Sequence, residues 1–298
     1  MKFIFQYPET NGTDGDLLDA GPIGELAAAA EAAGWDAMAF TEHPAPSARW
    51  LEAGGHQSLD PFIALSFVAA ATERLRLLTN LSVVPYRNPS LLAKTAASLD
   101  RLSNGRLILG VGTGYMKSEF NALGVSFDER NTLFDEALDV LALHWSGEPF
   151  DYQGSHFNAV GIQARPRPTQ RDIPIWIGGN SALSRRRVAA RAQGWLPMVS
   201  QVDISQTTRT PHIGSIDQLS ENINEIRRAA PDRTLEVAMA YGTPGLSRSY
   251  EDAQHHRELF ARYQAIGVDW IIISVDRAAG PKGTTEFLQR FAGAFINP

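Results

Sequence analysis

The chain has 298 residues, of which 44% are hydrophobic and 20% are charged, as is ordinary for a globular protein with a sizeable core. Its formal net charge of -6 gives no polybasic signal, so we expect neither nucleic acid nor a membrane surface as a partner. The lack of cysteine excludes disulfides, thiolate catalysis and cysteine-bound metals. No apolar run reaches the roughly 18 residues of a membrane span, and the one at the start is too short for a signal peptide, so we expect a cytoplasmic protein.

The first part of the chain alternates short apolar strands with helices. A strand begins at Phe3, and a helix that opens at Pro22 ends at Gly34. A second strand runs from Trp35 to Thr41, an Asp-Pro pair then opens a second helix, and a third strand runs from Leu75 to Val84. This order of elements predicts repeated strand-helix units.

The stretch from Asn88 to Tyr115 shows such a unit most clearly. Asn88 can cap a helix whose first residue is Pro89. One arc of that helix is apolar and is predicted to be buried: Leu91, Leu92, Ala96, Leu99 and Leu102. The next strand, Leu107 to Val111, has no polar alternation, as is typical of a strand buried on both faces. It runs into Gly112, Thr113 and Gly114, where missing side chains let a flat ligand approach the backbone.

The second part of the chain continues the alternation after two interruptions. Tyr115 to Phe127 is an insertion after strand four, and Trp145 to Ile173 is an excursion with a small hairpin between helix four and strand five. With the units that follow, the pattern predicts one domain over residues 1–298, a (β/α)8 TIM barrel. The alternative is a doubly wound dinucleotide fold, because Gly110, Gly112 and Gly114 follow a strand, but the third glycine spacing of that fingerprint is missing.

Several motifs in the same order resemble one known family. They are the run from Pro85 to Tyr115, the segment RPRPTQ followed by PIWIGGN between Arg165 and Asn180, and the pair Glu42-His43. Together they resemble the bacterial luciferase-like flavin and deazaflavin oxidoreductases, and most of all an actinobacterial branch that uses the deazaflavin coenzyme F420. The resemblance implies a TIM barrel with a cofactor bound against strands two to five.

His43 is the best single candidate for catalysis. In a barrel the active site lies at the C-terminal ends of the strands, and strand two ends at Glu42 and His43. Histidine titrates near neutral pH and can donate or accept a proton at a reacting centre. The alternative is a structural loop histidine. Glu42 either orients the imidazole or is solvated.

Gly178, Gly179, Asn180 and Ser181 are predicted to bind an anion. The glycines free backbone donors, Asn180 or Ser181 caps the next helix, and the helix dipole favours a phosphate there. The alternative is an ordinary glycine-rich turn. The resemblance implies that this site holds the phosphate of the cofactor, and that strand three carries a bulge with a non-proline cis peptide, which we place at Asn80-Leu81.

Four functions compete. In the first, reduced F420 exchanges a hydride with a small organic substrate, with His43 as proton donor or acceptor. In the second, reduced FMN in the same pocket activates dioxygen for monooxygenation. A barrel aldolase or metallohydrolase ranks behind, because no lysine lies at a strand end and strand one ends at Gln6 and Tyr7, so we expect no metal site. The fourth is a non-catalytic relative.

Two further expectations concern surfaces. Six residues could form an aromatic wall of the pocket or belong to the core: Tyr7, Trp50, His56, Tyr115, Phe120 and Trp195. The resemblance implies a homodimer that pairs through helices two and three, where Leu65, Phe67 and Val68 offer apolar surface beyond one inner face.

Overall fold

Parallel strands arranged as a closed ring form the centre of the fold. The computed structural model describes residues 1–9, 15–200, 202–242, 252–275 and 279–297. Within these residues the strands are β1 (Lys2–Gln6), β2 (Ala37–Phe40), β3 (Arg76–Thr79), β4 (Ser82–Val83), β5 (Leu107–Gly112), β6 (Phe150–Gln153), β7 (Asn158–Ile162), β8 (Ile175–Gly178), β9 (Gly194–Leu196), β10 (Glu236–Ala240) and β11 (Trp270–Ser274). Their order is β3-β2-β1-β11-β10-β9-β8-β5, and pairing of β5 with β3 closes the ring, which confirms the predicted TIM barrel.

Helices follow the barrel strands along the chain. The described helices are α1 (Ile23–Ala33), α2 (Ala48–Glu52), α3 (Pro61–Ala71), α4 (Pro89–Leu102), α5 (Lys117–Ala122), α6 (Arg130–Ser146), α7 (Ala182–Arg191), α8 (Val202–Thr207), α9 (Ile216–Ala229), α10 (Ala253–Ala265) and α11 (Gly280–Phe291). Both predicted insertions are present, as α5 after β5 and as the antiparallel hairpin β6-β7 between α6 and β8. The loop expected after strand two contains the short helix α2, because the Ser47 side chain accepts the Trp50 amide and caps it.

The sizes of the side chains that point into the barrel determine which end of the barrel is open. Every strand of the ring contributes to an inner apolar cluster, which contains Ile4, Ala37, Ala39, Leu78, Ile108, Trp176, Leu196, Ala238, Trp270 and Ile272. Trp176 and Trp270 lie near the N-terminal ends of their strands and contact each other edge to face at 5.4 Å. At the C-terminal ends the strands carry Gly112, Gly178 and Ala240, so the barrel is filled at one end and open at the other.

The predicted third strand is interrupted. β3 ends at Thr79 and β4 begins at Ser82, and the peptide bond between Asn80 and Leu81 is cis, as the resemblance implied. β3 pairs with β2 and β5, whereas the only pairing of β4 among the described strands is with β5.

Two predicted apolar faces were partly wrong. Leu91 is 68% exposed and Leu102 is 80% exposed, because they lie on the solvent side of α4 with Thr95 and Ser98. The buried face of α4 instead includes Leu92, Ala93, Ala96, Ala97 and Leu99.

On α3, Leu65 and Val68 are fully buried in the barrel's outer core and offer no free surface. Ile63 and Phe67, one helical turn apart, are each 64% exposed. The apolar outer face of α3 is therefore formed by these two residues.

No described helix is both long and apolar enough to cross a membrane. The cytoplasmic location and the single domain over residues 1–298 stay predictions.

Candidate active site

The open end of the barrel holds a cavity of about 560 Å³. It brings together nearly all the predicted site residues: Glu42, His43, Asn80, Leu81, Gly112, Thr113, Gly114, Gly178, Gly179 and Ser181. Asn180 does not line it. Of the proposed aromatic wall, His56 and Tyr115 line the cavity, whereas Tyr7, Phe120 and Trp195 are buried in the core.

A second cavity of about 560 Å³ lies outside the barrel between α6, α7 and the segment 167–175. Its three arginines are already paired within the protein, Arg167 with Glu148, Arg171 with Asp172 and Arg191 with Asp139. The cavity at the strand ends carries the titratable groups that chemistry needs, and it is therefore the candidate active site.

Leu81 forms the floor of the active-site cavity. A Cβ atom at Gly112 would lie 2.5 Å from Leu81 Cδ1, and one at Gly178 would lie 2.3 Å from Leu81 Cδ2. A Cβ at Gly114 would lie 2.6 Å from Val83 Cγ1. These glycines thus make room for the side chains of the β3-β4 segment, a use that differs from the close ligand approach we expected of Gly112 and Gly114.

His43 has a carboxylate partner that the sequence did not indicate. Its Nδ1 lies 3.3 Å from Oε2 of Glu119, on the insertion helix α5. Glu119 is completely buried and also accepts hydrogen bonds from the Tyr86 hydroxyl at 2.8 Å and the Ala45 amide at 3.2 Å. Because a carboxylate only accepts, it fixes the His43 proton on Nδ1 and leaves Nε2 as an acceptor. His43 is 10% exposed and lines the cavity.

Glu42 lies beside His43 in sequence but is bonded elsewhere. Its carboxylate accepts hydrogen bonds from Ser82 Oγ at 2.9 Å, from the Val83 amide at 2.6 Å and from the guanidinium of Arg87. Glu42 is 4% exposed, so it is not solvated, and it makes no hydrogen bond to the His43 ring within the described residues. Its structural effect is to hold β4, and with it the floor of the cavity.

A second imidazole, His56, lies next to the first. The His43 and His56 rings contact edge to face at 4.9 Å, and Trp50 packs against both. Burial, and next the neighbouring His43, lower the pKa of His56 to about 4. His56 is therefore neutral at physiological pH.

Behind His56 lies the buried carboxyl group of Glu9. The Thr41 hydroxyl donates to Oε2 of Glu9 at 2.6 Å and lies 3.2 Å from Nε2 of His56. The Thr41 amide donates to Oε1 of Glu9 at 2.9 Å. Burial raises the pKa of Glu9 to about 7, although the two hydrogen bonds from Thr41 oppose the shift. Nothing in the sequence singled out Glu9, because its hydrogen-bond partner Thr41 is 32 residues away in the chain.

The predicted anion site at the start of α7 differs from the expectation in detail. The Gly179 amide donates to Leu196 O at 3.2 Å and the Asn180 amide to Thr210 Oγ1 at 3.0 Å, so these two donors are not free. The Asn180 side chain is fully buried and binds backbone atoms of Met198 and Pro211. Ser181 caps the helix by accepting the Ser184 amide, as predicted.

Two cations that sequence reasoning missed lie at the mouth of the cavity. The guanidinium groups of Arg130 and Arg209 lie over the same ring, that of Phe127, at 3.9 and 5.2 Å from its centroid. Both line the cavity, and neither forms an ion pair within the described residues. Burial, and next the charge of Arg209, lower the pKa of Arg130. An anion between them would relieve this repulsion.

A cavity at the C-terminal face of an eight-stranded parallel barrel, with an imidazole-carboxylate pair on its wall, defines a TIM-barrel enzyme. Residues 1–210 match the family described as luciferase-like monooxygenase, so the chain belongs to that family and is an enzyme of the oxidoreductase or monooxygenase class.

Two curated relatives illustrate the range of the family. An uncharacterised protein of Mycobacterium bovis is 29% identical over 209 residues, which are 62% of this chain and 74% of that protein. The F420-dependent glucose-6-phosphate dehydrogenase of Microbacterium testaceum is 30% identical over 200 residues, 66% of this chain and 56% of that protein.

Solved structures share the fold along the whole chain. The monooxygenase RslO1 from Streptomyces bottropensis has a TM-score of 0.77 at 22% identity, covering 100% of this chain and 99% of that one. An F420-dependent secondary alcohol dehydrogenase has a TM-score of 0.71 at 16% identity, covering 99% and 98%. A type II Baeyer-Villiger monooxygenase from Pseudomonas putida in complex with FMN has a TM-score of 0.72 at 15% identity, covering 98% and 96%.

Proposed function

We propose that the protein is an F420-dependent oxidoreductase that transfers a hydride to or from a small organic substrate. The observation that carries the proposal is the His43-Glu119 pair, whose imidazole faces a cavity large enough for a tricyclic ring and a substrate. The F420-dependent dehydrogenase of Microbacterium testaceum, with 30% identity, supports the choice of cofactor.

The residues of the cavity fit a deazaflavin. Leu81 offers an apolar platform for a flat ring, and Asn80, Thr113 and Gly114 lie at its edge. The anionic side chain of the cofactor would lie between Ser181 and the pair Arg130 and Arg209, neither of which forms an ion pair within the described residues. When bound, the cofactor supplies the hydride chemistry.

His43 would be the residue that moves a proton. With its Nδ1 proton held by Glu119, Nε2 accepts the proton of a substrate hydroxyl as the alcohol is oxidised, and returns it in the reverse direction. Glu119 stabilises the imidazolium that forms, because its carboxylate lies at 3.3 Å and is shielded from water. Glu42 supports the site from behind by holding β4.

The alternative is a reduced-FMN monooxygenase that uses dioxygen. The FMN complex of the Pseudomonas putida monooxygenase supports it at the level of the fold. The same platform and the same pair of arginines would hold FMN.

Two parallel assays separate these functions. Oxidised F420 is mixed anaerobically with a panel of secondary alcohols and sugar phosphates, and the loss of its absorbance is followed. In parallel, enzymatically reduced FMN and oxygen are supplied with ketones and aromatic compounds, and oxygenated products are measured. Turnover only in the second assay would contradict the F420 proposal.

We also propose a homodimer that pairs through the outer face of α3, where Ile63 and Phe67 are each 64% exposed. A symmetric interface would bury four such side chains, two from each copy, and each would contribute up to about 1.5–3 kcal/mol. Sedimentation at micromolar concentration should give twice the mass of the 32.6 kDa chain, and Phe67→Asp should give the monomer. A wild-type monomer would contradict the proposal.

A further inference from the structure

The buried Glu9 carboxyl is linked to the active-site cavity through two side chains. Its Oε2 receives the Thr41 hydroxyl at 2.6 Å and lies 3.7 Å from Nε2 of His56. The same hydroxyl lies 3.2 Å from Nε2, and His56 lines the cavity with 29% of its side chain exposed. Nδ1 of His56 has no hydrogen-bond partner within the described residues, so it is free for a molecule in the cavity.

The two oxygens of Glu9 are not equivalent. Oε1 accepts the Thr41 amide at 2.9 Å, so a proton on Glu9 is placed on Oε2. A protonated Oε2 donates to the Thr41 hydroxyl, which then donates to Nε2 of His56, and the neutral imidazole carries its proton on Nδ1. When Glu9 is ionised, the Thr41 hydroxyl donates to Oε2 of Glu9 and Nε2 of His56 donates to the Thr41 hydroxyl. The proton of the neutral imidazole is then on Nε2.

We propose that Glu9, Thr41 and His56 form a proton relay that gives a proton to, or takes one from, the molecule bound in the cavity; the relay rests on the proposed hydride transfer. In the donating direction the Glu9 O–H bond breaks as a new one forms on Thr41 Oγ1. The original Thr41 proton forms a bond to Nε2 of His56. The Nδ1–H bond of His56 breaks, its electron pair stays on Nδ1, and the proton binds a lone pair of the bound molecule at an atom other than the oxygen that exchanges its proton with His43.

The relay complements the His43-Glu119 pair. Glu119 accepts from Tyr86 and Ala45 as well as from His43, which suits a carboxylate that supports a base. Among the described residues Glu9 accepts hydrogen bonds from Thr41 alone, and its raised pKa of about 7 suits a group that stores a proton. Its side chain is 7% exposed, so it can regain a proton from water.

Three titratable side chains among the described residues lie close enough to influence the charges of Glu9 and His56: Tyr7, His43 and Glu119. Tyr7 lies beside Glu9 and stays protonated, because burial, and next the charge of Asp16, raise its pKa to about 12. His43 opposes a positive charge on His56, and Glu119 favours one. None of them donates a hydrogen bond to Glu9, so Thr41 is its link to the cavity.

The position of the His56 proton tests the relay without cofactor or substrate. Long-range proton-nitrogen NMR spectra of the protein with ¹⁵N-labelled histidine are recorded from pH 5.5 to 8.5, and His56→Gln assigns the His56 signals. We expect a neutral ring throughout, protonated on Nδ1 at low pH and on Nε2 at high pH, with one transition near pH 7.

Glu9→Gln should hold the ring in the Nδ1 form at every pH, because the carboxamide oxygen accepts the Thr41 amide and the NH₂ group takes the place of the Oε2 proton. Thr41→Val should abolish the transition, whereas the control Thr95→Val, on the exposed face of α4, should leave it unchanged. A wild-type ring with one tautomer over the whole range, or a transition that survives in Glu9→Gln, would overturn the relay.

Activity provides the second readout. With the substrate found in the F420 assay, kcat of the wild type should show an inflection near pH 7 that Glu9→Gln and Thr41→Val lose, with KM changed less. An inflection that persists in both variants would also overturn the relay. If F420 does not bind but the tautomer transition is present, the proposed function fails while the proton pathway stands.

Discussion

At the scale of single residues, two imidazoles face one cavity with different partners. His43 is held by the carboxylate of Glu119, and His56 by the hydroxyl of Thr41. The sequence indicated His43 because it follows a barrel strand. It could not indicate Glu119, since 76 residues separate the two and only the folding of α5 over the strand ends brings them together. Long-range pairs of this kind are invisible to local patterns.

Replacement of His43 tests its chemical role. We expect His43→Ala to lower turnover by roughly a hundredfold or more, the usual scale for a positioned acid or base. Cofactor affinity should change much less, because we propose that Arg130 and Arg209 hold the anionic side chain of the cofactor. His255→Ala, on the exposed face of α10, is the matched control. If the rate per folded molecule stays normal while the melting temperature falls, His43 is a structural residue.

At the scale of elements, the sequence predicted the helix caps and the positions of the glycines, but not what the glycines make room for. Asn88 and Asp60 begin α4 and α3 as the sequence indicated. The glycines at the ends of β5 and β8 suggested room for a ligand, whereas the structure places the Leu81 side chain there. The outer face of α3 was predicted incorrectly at Leu65 and Val68, because a helix that is apolar almost all round does not reveal which side faces the barrel.

The contact between Leu81 and Gly178 can be tested with a pair of substitutions in which the second relieves the clash caused by the first. Gly178→Ala places a Cβ 2.3 Å from Leu81 Cδ2 and should lower the free energy of unfolding by about 1–3 kcal/mol through overpacking. In a Leu81→Ala background the same change should cost much less, because the clash is removed. Gly293→Ala, where a Cβ would meet nothing within 4 Å, is the control. Additive losses in urea titrations of the double variant would show that the two residues are not coupled.

The predicted anion site at the start of α7 can be tested by placing a carboxylate there with Gly179→Asp. Gly179 has a φ of 101°, so any side chain strains the backbone, and we expect Gly179→Asp to lower the melting temperature. Gly179→Ala should show the same loss of stability. The aspartate variant alone should also bind F420 and FMN much more weakly, because its carboxylate opposes the phosphate. Equal affinities in the two variants would remove the anion site from α7.

At the scale of the whole molecule, the regular alternation of strands and helices along the chain was enough to predict the barrel. Eight buried strands alternating with helices close in one way, and the predicted insertions lie where the repeat is broken. The site was predicted as a region, since all strand ends meet at one face. Its floor and the hydrogen-bond partners of its two imidazoles depend on side-chain packing that the linear pattern does not carry.

The ionisation of Glu9 should be visible in global stability. Its folded pKa of about 7 lies above the ordinary value of 4.5, so the folded state holds the proton more tightly than the unfolded state. The contribution of Glu9 to the free energy of unfolding should therefore fall by up to about 3 kcal/mol as pH rises from 4.5 to 7, and stay lower above that. Glu9→Gln cannot ionise, so its stability relative to wild type should increase between pH 5 and pH 8.

The pKa of His56 is shifted in the opposite direction, from 6.5 to about 4. This shift is present in both the wild type and Glu9→Gln, so its effect on stability cancels when the two proteins are compared. Urea titrations of both proteins at each pH measure the difference. A difference independent of pH would mean that Glu9 is ionised throughout this range.

The central claim is that the cavity over Leu81 binds a deazaflavin. The most direct measurement is an equilibrium titration of the purified protein with F420, followed by its fluorescence, and with FMN under the same conditions. We predict that F420 binds at least about tenfold more tightly than FMN, a difference of about 1.4 kcal/mol. The preference should weaken in the double variant Arg130→Gln and Arg209→Gln, and remain in Arg186→Gln, a cation on the exposed side of α7. Tighter binding of FMN, or no binding of F420, would contradict the account.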